Sequence, residues 1–269
     1  MSRVRIVLSG LLLSSFFTVA PLAAQDQDPK PPKPPRKIIA AEEEKKPDRG
    51  FFSSLVHNLG DDLKHMPRKN SLYWLAAGSA GALAIHPADD NINNRLAGSD
   101  FADAFFKPGK YLGSTPLILG GSITTYIIGR ASDKPRVRHI GMDLIEATVL
   151  AEGITQAIKY TVRRERPIAP DGSQASGYSF PSGHATLTFA AATVLQQHLG
   201  WKAAVPTYLV ATYVAMSRLH DNRHFASDVV FGATDGIIIG RSVTWHGRNF
   251  YAMPMVVPKG VGVMVSLKH

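Results

Sequence analysis

Cysteine is absent from all 269 residues. That excludes disulfides, thiolate zinc sites, iron–sulfur clusters and cysteine nucleophiles. Long apolar runs are also scarce. Beyond the N-terminal segment, the longest stretch without a charged residue or histidine is 111–129, and it contains Pro116 and four glycines. No segment there reads as a good membrane span, since a span needs about 20 mostly apolar residues. Acidic residues are in the minority, 21 against 30 Lys and Arg, which gives a formal charge of +9 and a pI near 9.7. Such a balance favours anionic partners: phosphate esters, nucleic acid or acidic lipid surfaces. No basic–aromatic surface pattern or motif supports nucleic acid. Apolar residues make up 45% and charged residues 19%. With a mean hydropathy of −0.03, the chain is neither disordered throughout nor mostly lipid-embedded helix.

Residues 1–24 begin with Arg3 and Arg5, and the stretch from Ile6 to Ala24 is uncharged. They read as a secretory signal peptide cut near Ala24, which implies a secreted or periplasmic product. Leu22 stands where the cleavage pattern prefers a small residue. Residues 25–50 hold six prolines and the run Glu42-Glu43-Glu44-Lys45-Lys46, a composition suited to a disordered or extended linker.

Residues 51–249 read as one all-α domain, a helical bundle. Helices are expected near 51–65, 70–86, 110–130, 138–164, 183–199, 203–218 and 226–245. Pro167 is expected to stop the fourth. Ser182 is placed to cap the fifth and Gly200 to end it. Pro206 falls in the first turn of the sixth, and Ser227 is placed to cap the seventh. Residues 250–269 form a tail. Phe250 to Val257 and Gly262 to Leu267 are strand-prone, and Pro258-Lys259-Gly260 between them supplies turn chemistry for a small hairpin.

Three pieces carry chemistry. The first runs from Lys159 to Arg166-Pro167. The two cations lie seven apart, about two helical turns, so they can share a face and suit a polyanion. The ordinary alternative is a solvated basic helix end, and Arg163 and Arg164 keep that reading. The second is Pro181-Ser182-Gly183-His184 at a helix start. Free backbone N–H groups there form a ready anion site. Ser182 adds a hydroxyl, Gly183 permits close approach, and His184 can move a proton. The third is Ser217-Arg218 through His224 to Asp228. If the last stretch is helical, Asp228 can accept one ring N–H of His224 and leave the other nitrogen as a nucleophile. Zinc is a competing reading, because His220 and His224 also have helical ligand spacing. It ranks low, since Asp221 stands where a zinc protease needs glutamate. Together the pieces match metal-free phosphoryl transfer.

In these motifs the sequence resembles the type-2 phosphatidic acid phosphatase superfamily, which also holds bacterial acid phosphatases and vanadium-dependent haloperoxidases. The shared signature is a lysine, six residues and Arg-Pro; then Pro-Ser-Gly-His; then Ser-Arg, five residues, His, three residues and Asp. All three parts are present in order. The resemblance implies a bundle of the acid phosphatase/haloperoxidase type. It implies His224 as the nucleophile that forms a phosphohistidine, Asp228 as the residue that orients it, and His184 as proton donor to the leaving alcohol. Lys159, Arg166, Ser182, Gly183 and Arg218 would hold the phosphoryl oxygens, with no metal and no cofactor. The substrates would be phosphate monoesters or lipid (pyro)phosphates, with peripheral membrane contact for the latter. Alternatives are a vanadium-dependent haloperoxidase and a non-catalytic anion-binding envelope protein. Simple binding needs neither His184 nor His224, which counts against the last.

Overall fold

The computed structural model describes residues 51–96, 100–169 and 172–244, and the backbone of the strands 250–257 and 260–267. The signal peptide expected over 1–24 and the linker expected over 25–50 lie outside the described residues, as do Pro258 and Lys259 of the expected turn.

Among the described residues ten helices follow in order: α1 Phe51–His65, α2 Lys69–Ile85, α3 Asp89–Leu96, α4 Asp100–Phe106, α5 Gly109–Leu112, α6 Thr115–Ala131, α7 Pro135–Val162, α8 Gly183–Leu199, α9 Trp201–His220 and α10 Ala226–Val243. A 3-10 turn, His86–Ala88, joins α2 to α3. The tail is an antiparallel pair, β1 Phe250–Val257 and β2 Gly260–Leu267, with Phe250 opposite Leu267.

Seven helices lie where helical periodicity places them, with differences at their ends. The segment expected over 110–130 is two pieces, because α5 stops at Gly113 and α6 starts afresh at Thr115 with Pro116 in its first turn. Helix α9 starts at Trp201, so Pro206 sits inside the helix rather than in its first turn. Helix α7 ends at Val162, earlier than Pro167 requires. Arg163 there takes a left-handed conformation, φ 54°, and its N–H still bonds Lys159 O. At the end of α8, Gly200 adopts φ 81°, where a side chain would be strained.

Helices α7, α8 and α10 enclose the main core, built from Ile140, Leu144, Leu150, Leu187, Val194, Ile239 and Val243. A second cluster, Ala185, Ala215, Leu219, Ala226 and Val229, packs α8, α9 and α10 beneath the loop that joins the last two. On α10, Gly232, Gly236 and Gly240 recur every four residues and so share one face. A Cβ at each would lie 2.3–2.6 Å from a backbone carbonyl of Ser182, Thr186 or Ala190. The first turn of α8 therefore lies directly against α10.

Carboxylates also penetrate the core. Glu146 on α7 is 1% exposed and accepts a hydrogen bond from Asn58 Nδ2 on α1 at 2.7 Å. Burial pushes its pKa up to about 9, and the nearby Asp143 and Asp62 add to the rise. Asp143 is matched by His198 Nε2 at 2.7 Å. Between the ordinary value of 4.5 and about 9, the folded chain keeps a proton that the unfolded chain has lost. Stability therefore falls as pH rises through that window. Glu146→Gln keeps an acceptor for Asn58 and removes the ionisation. At pH 8.5 it is expected to stabilise the protein by at least about 1 kcal/mol and to flatten the melting temperature between pH 5 and 9. Thermal melts across that range check this, and parallel curves would clear Glu146 as the source.

Candidate functional site

Lys159 lies in the last turn of α7 and is 9% exposed. Its Nζ donates to Tyr178 O at 2.7 Å and to Ser179 O at 3.3 Å. Burial, and then the Arg166 charge, lower its pKa to about 8. Arg166 does not share a helix face with Lys159, because α7 has already ended. It lies on the extended segment that follows, where Nε donates to Ser176 O at 3.0 Å and Nη1 to Arg223 O at 2.6 Å. The chain reversal at Arg163 and the loop before α8 bring the two cations together instead.

Ser182 stands at the N-cap of α8, but its side chain caps nothing. Its N–H donates to Asp228 O at 3.1 Å. Its Oγ is buried with no hydrogen-bond partner among the described residues. Gly183 opens the helix, and a Cβ there would meet Thr155 Cγ2 at 3.4 Å. His184 follows, its Nε2 3.0 Å from Lys110 O, which leaves Nδ1 as the nitrogen available for proton exchange. Burial, and then the Arg218 charge, lower its pKa from the ordinary 6.5.

Ser217 and Arg218 lie in the last turn of α9. Arg218 Nη1 donates to Asp221 Oδ2 at 2.7 Å, while its buried Nε has no partner among the described residues. His224 is not helical: it precedes α10, whose N-cap is Phe225. The expected bond from its ring to Asp228 is displaced. Nδ1 meets Ser179 O at 2.7 Å, and Asp228 Oδ2 stands 3.7 Å away. The Ser179 carbonyl thus fixes the tautomer and accepts from Lys159 as well. Nε2 carries no hydrogen bond among the described residues. Burial lowers the His224 pKa to about 4; Asp228 opposes the shift, and Lys159 and Arg166 deepen it.

Two further readings are corrected here. Ser227 is not the cap of α10. Its N–H donates to Asp89 Oδ1 and its Oγ to Asp89 Oδ2, while Asp228 Oδ2 accepts the Phe225 N–H at 2.9 Å and does the capping. His220 and His224 do not form a helical ligand pair, because α9 ends at His220. Both its ring nitrogens are engaged, Nδ1 with Leu96 O and Nε2 with Asp103 Oδ1.

The mutual electrostatic influence of Lys159, Arg166, Arg218, His184, His224 and Asp228 marks one neighbourhood. Over residues 140–251, which carry all three motifs, the sequence matches the family model described as the PAP2 superfamily. This segment is thus similar to the PAP2 superfamily. Within it, 108 residues are 40% identical to lipid A 1-phosphatase of Porphyromonas gingivalis, covering 39% of this chain and 23% of that one. A stretch of 103 residues is 41% identical to decaprenylphosphoryl-5-phosphoribose phosphatase of Mycolicibacterium smegmatis, covering 37% of this chain and 56% of that one. The match therefore spans less than two thirds of either relative. In fold, the chain is similar to a transmembrane PAP2 type phosphatidylglycerolphosphate phosphatase from Bacillus subtilis, with a TM-score of 0.51 and 20% identity over 66% of this chain and 96% of that one.

Sequence reasoning missed three residues around the candidate site. Arg164, read as a solvated helix end, reaches Asp228 and Asp89 at 2.7 and 2.9 Å. Asp89 is 3% exposed and opens α3. Asn93, one turn on, donates to His224 O at 3.1 Å and to Asn222 Oδ1 at 2.9 Å, so α3 holds the backbone of the loop that carries His224. Arg164, Arg166, Asn93, Gln174 and Asn222 also line an open cleft of about 450 Å3 beside the site.

Proposed function

We propose that this chain is a phosphatase that cleaves phosphate monoesters or lipid (pyro)phosphates through a phosphohistidine. The observation that carries the reading is the pair of buried, unpartnered donors, Ser182 Oγ and Arg218 Nε. A buried polar atom without a partner costs about 1–3 kcal/mol, and a phosphoryl oxygen removes that deficit. The free N–H groups of α8 add positive potential beside them.

His224 Nε2 attacks phosphorus, and the P–N bond forms as the bond to the leaving oxygen breaks. His184 gives its Nδ1 proton to that oxygen, so an alcohol departs. Water then attacks the phosphohistidine, His184 takes a proton from it, and phosphate leaves with Nε2 free again. Lys159, Arg166, Arg218, Ser182 and the Gly183 N–H hold the equatorial oxygens throughout. Asp228 steadies the positive charge on His224, whose Nδ1–H keeps donating to Ser179 O. No metal enters these steps.

Relatives named as lipid A 1-phosphatase and decaprenylphosphoryl-5-phosphoribose phosphatase support a lipid-phosphate substrate. Apolar stripes support contact with a lipid surface. Trp201, Val205 and Leu209 on α9, and Ile123 and Ile127 on α6, are each at least 40% exposed at four-residue spacing. No helix among the described residues is long and apolar enough to cross a membrane. Residues 1–24 would direct the protein to a secreted or periplasmic location.

The test is phosphate release from phenyl phosphate, a phosphatidic acid and a polyprenyl pyrophosphate. Release from none of them would end the reading. The pH profile follows from the two histidines. His224 must be neutral, which holds above about 4. His184 must be protonated, and its lowered pKa puts that form below 6.5. The kcat/KM profile of the free enzyme should peak between these limits and fall towards neutral pH. An optimum at pH 8 would remove His184 as the acid.

A further inference from the structure

Asp228 is completely buried, and so is most of Asp89, 139 positions earlier in the chain. One guanidinium stands between them. Arg164 Nη1 donates to Asp228 Oδ1 at 2.7 Å and to Ser227 Oγ at 2.7 Å. Its Nη2 donates to Asp89 Oδ2 at 2.9 Å. The plane of Arg164 lies 4.0 Å over the Phe225 ring, directly after His224. On the far side Asp89 is tied down by the N–H and hydroxyl of Ser227 and by His86 Nδ1 at 2.9 Å. Asp228 Oδ2, the oxygen that looks at His224, is left with one backbone N–H.

We propose that Arg164, anchored on Asp89, is the positioning residue that holds Asp228 aimed at His224. Two buried carboxylates this close repel each other unless a cation stands between them. Removing Arg164 would leave that repulsion unopposed, and an Asp228 pushed out of place no longer steadies an imidazolium. Asp89 has the complementary task. By drawing on half of the Arg164 charge, it leaves Asp228 enough negative potential to serve His224. Arginine suits this place because its planar fork reaches two carboxylates at once, which the single ammonium of a lysine does not. The groups facing His224 and Asp228 are Lys159 from α7, Arg164 and Arg166 from the segment after it, and Asp89 and His86 from α3 and the turn before it.

The catalytic consequence rests on the phosphohistidine reading, so the test has two arms. In the kinetic arm, Arg164→Gln is expected to lower kcat at least about tenfold, with KM changed less than threefold. Adding Asp89→Asn to it should recover part of that loss, because the second carboxylate no longer repels Asp228. A double variant no better than Arg164→Gln, or an unchanged kcat in Arg164→Gln, would overturn the proposal. The second arm needs no turnover. Asp89→Asn keeps the Arg164–Asp228 bond and leaves the Arg164 charge undivided, so NMR titration should find the His224 imidazole shifted to lower pH. An unmoved His224 titration overturns the proposal even where Arg164→Gln fails to fold. Absence of phosphate release by the unaltered protein would defeat the phosphatase reading alone.

Discussion

His224→Ala should lower kcat for every phosphate ester by at least about 10³-fold, since a nucleophile has no substitute once its covalent step is lost. The fold should survive. The imidazole has one hydrogen bond to Ser179 O, and that carbonyl keeps its bond to Lys159 Nζ. The lost ring leaves a cavity between Ser179 and the start of α10, so melting temperature should drop by a few degrees while helicity stays the same. His184→Ala supplies the contrast. An aryl leaving group with a low pKa needs no proton, so that variant should lose much more activity on an alkyl phosphate than on p-nitrophenyl phosphate. Circular dichroism alongside kcat on both esters checks the pair. Full activity in His224→Ala would dismiss it as nucleophile, and equal losses on both esters in His184→Ala would dismiss the proton donor.

The motif residues were legible in the sequence because residue type and spacing reveal them without any tertiary information. Helical periodicity likewise revealed the helices that pack Ala, Leu and Ile between α7, α8 and α10. What escaped was the geometry that connects the motifs. Lys159 and Arg166 were expected on one face, but the left-handed Arg163 ends α7 first, and nothing local in Val162-Arg163-Arg164 announces that reversal. Asp228 was expected on the His224 ring from four-residue spacing. That spacing presumes a helix, and α10 begins only after His224, so Ser179 O takes the bond. Arg164 is separated from Asp89 by 75 positions, and Asp89 sits in the short, Asn-rich α3, where apolar periodicity is too weak to read. Ser182 and Ser227 were both assigned as caps by residue type. One hydroxyl is left unpartnered among the described residues, and the other is drawn away to Asp89. In each case a long-range polar partner outweighed a local preference.

Gly236→Ala is expected to destabilise the protein, although helix propensity alone says the opposite. Alanine in a helix interior is favoured over glycine by about 1 kcal/mol. A Cβ at Gly236, however, would lie 2.3 Å from Thr186 O and 2.9 Å from Ala190 N. Both are backbone atoms of α8, so no rotamer change makes room and the helices must separate. Overpacking of that kind costs about 3 kcal/mol, which exceeds the propensity gain. Gly153 on α7 is the control, because a Cβ there meets nothing within 4 Å, and Gly153→Ala should be neutral or stabilising by up to about 1 kcal/mol. The strain at Gly236 also reaches the site. One turn earlier, a Cβ at Gly232 would meet Ser182 O, and the Ser182 N–H bonds Asp228 O, so parting α8 from α10 moves the Ser182–His184 turn, proposed to bind phosphate, away from Asp228. Denaturant melts and kcat/KM should therefore fall together in Gly236→Ala and not in Gly153→Ala. A Gly236→Ala protein more stable than its parent would show that the two helices do not approach as closely as their glycines allow.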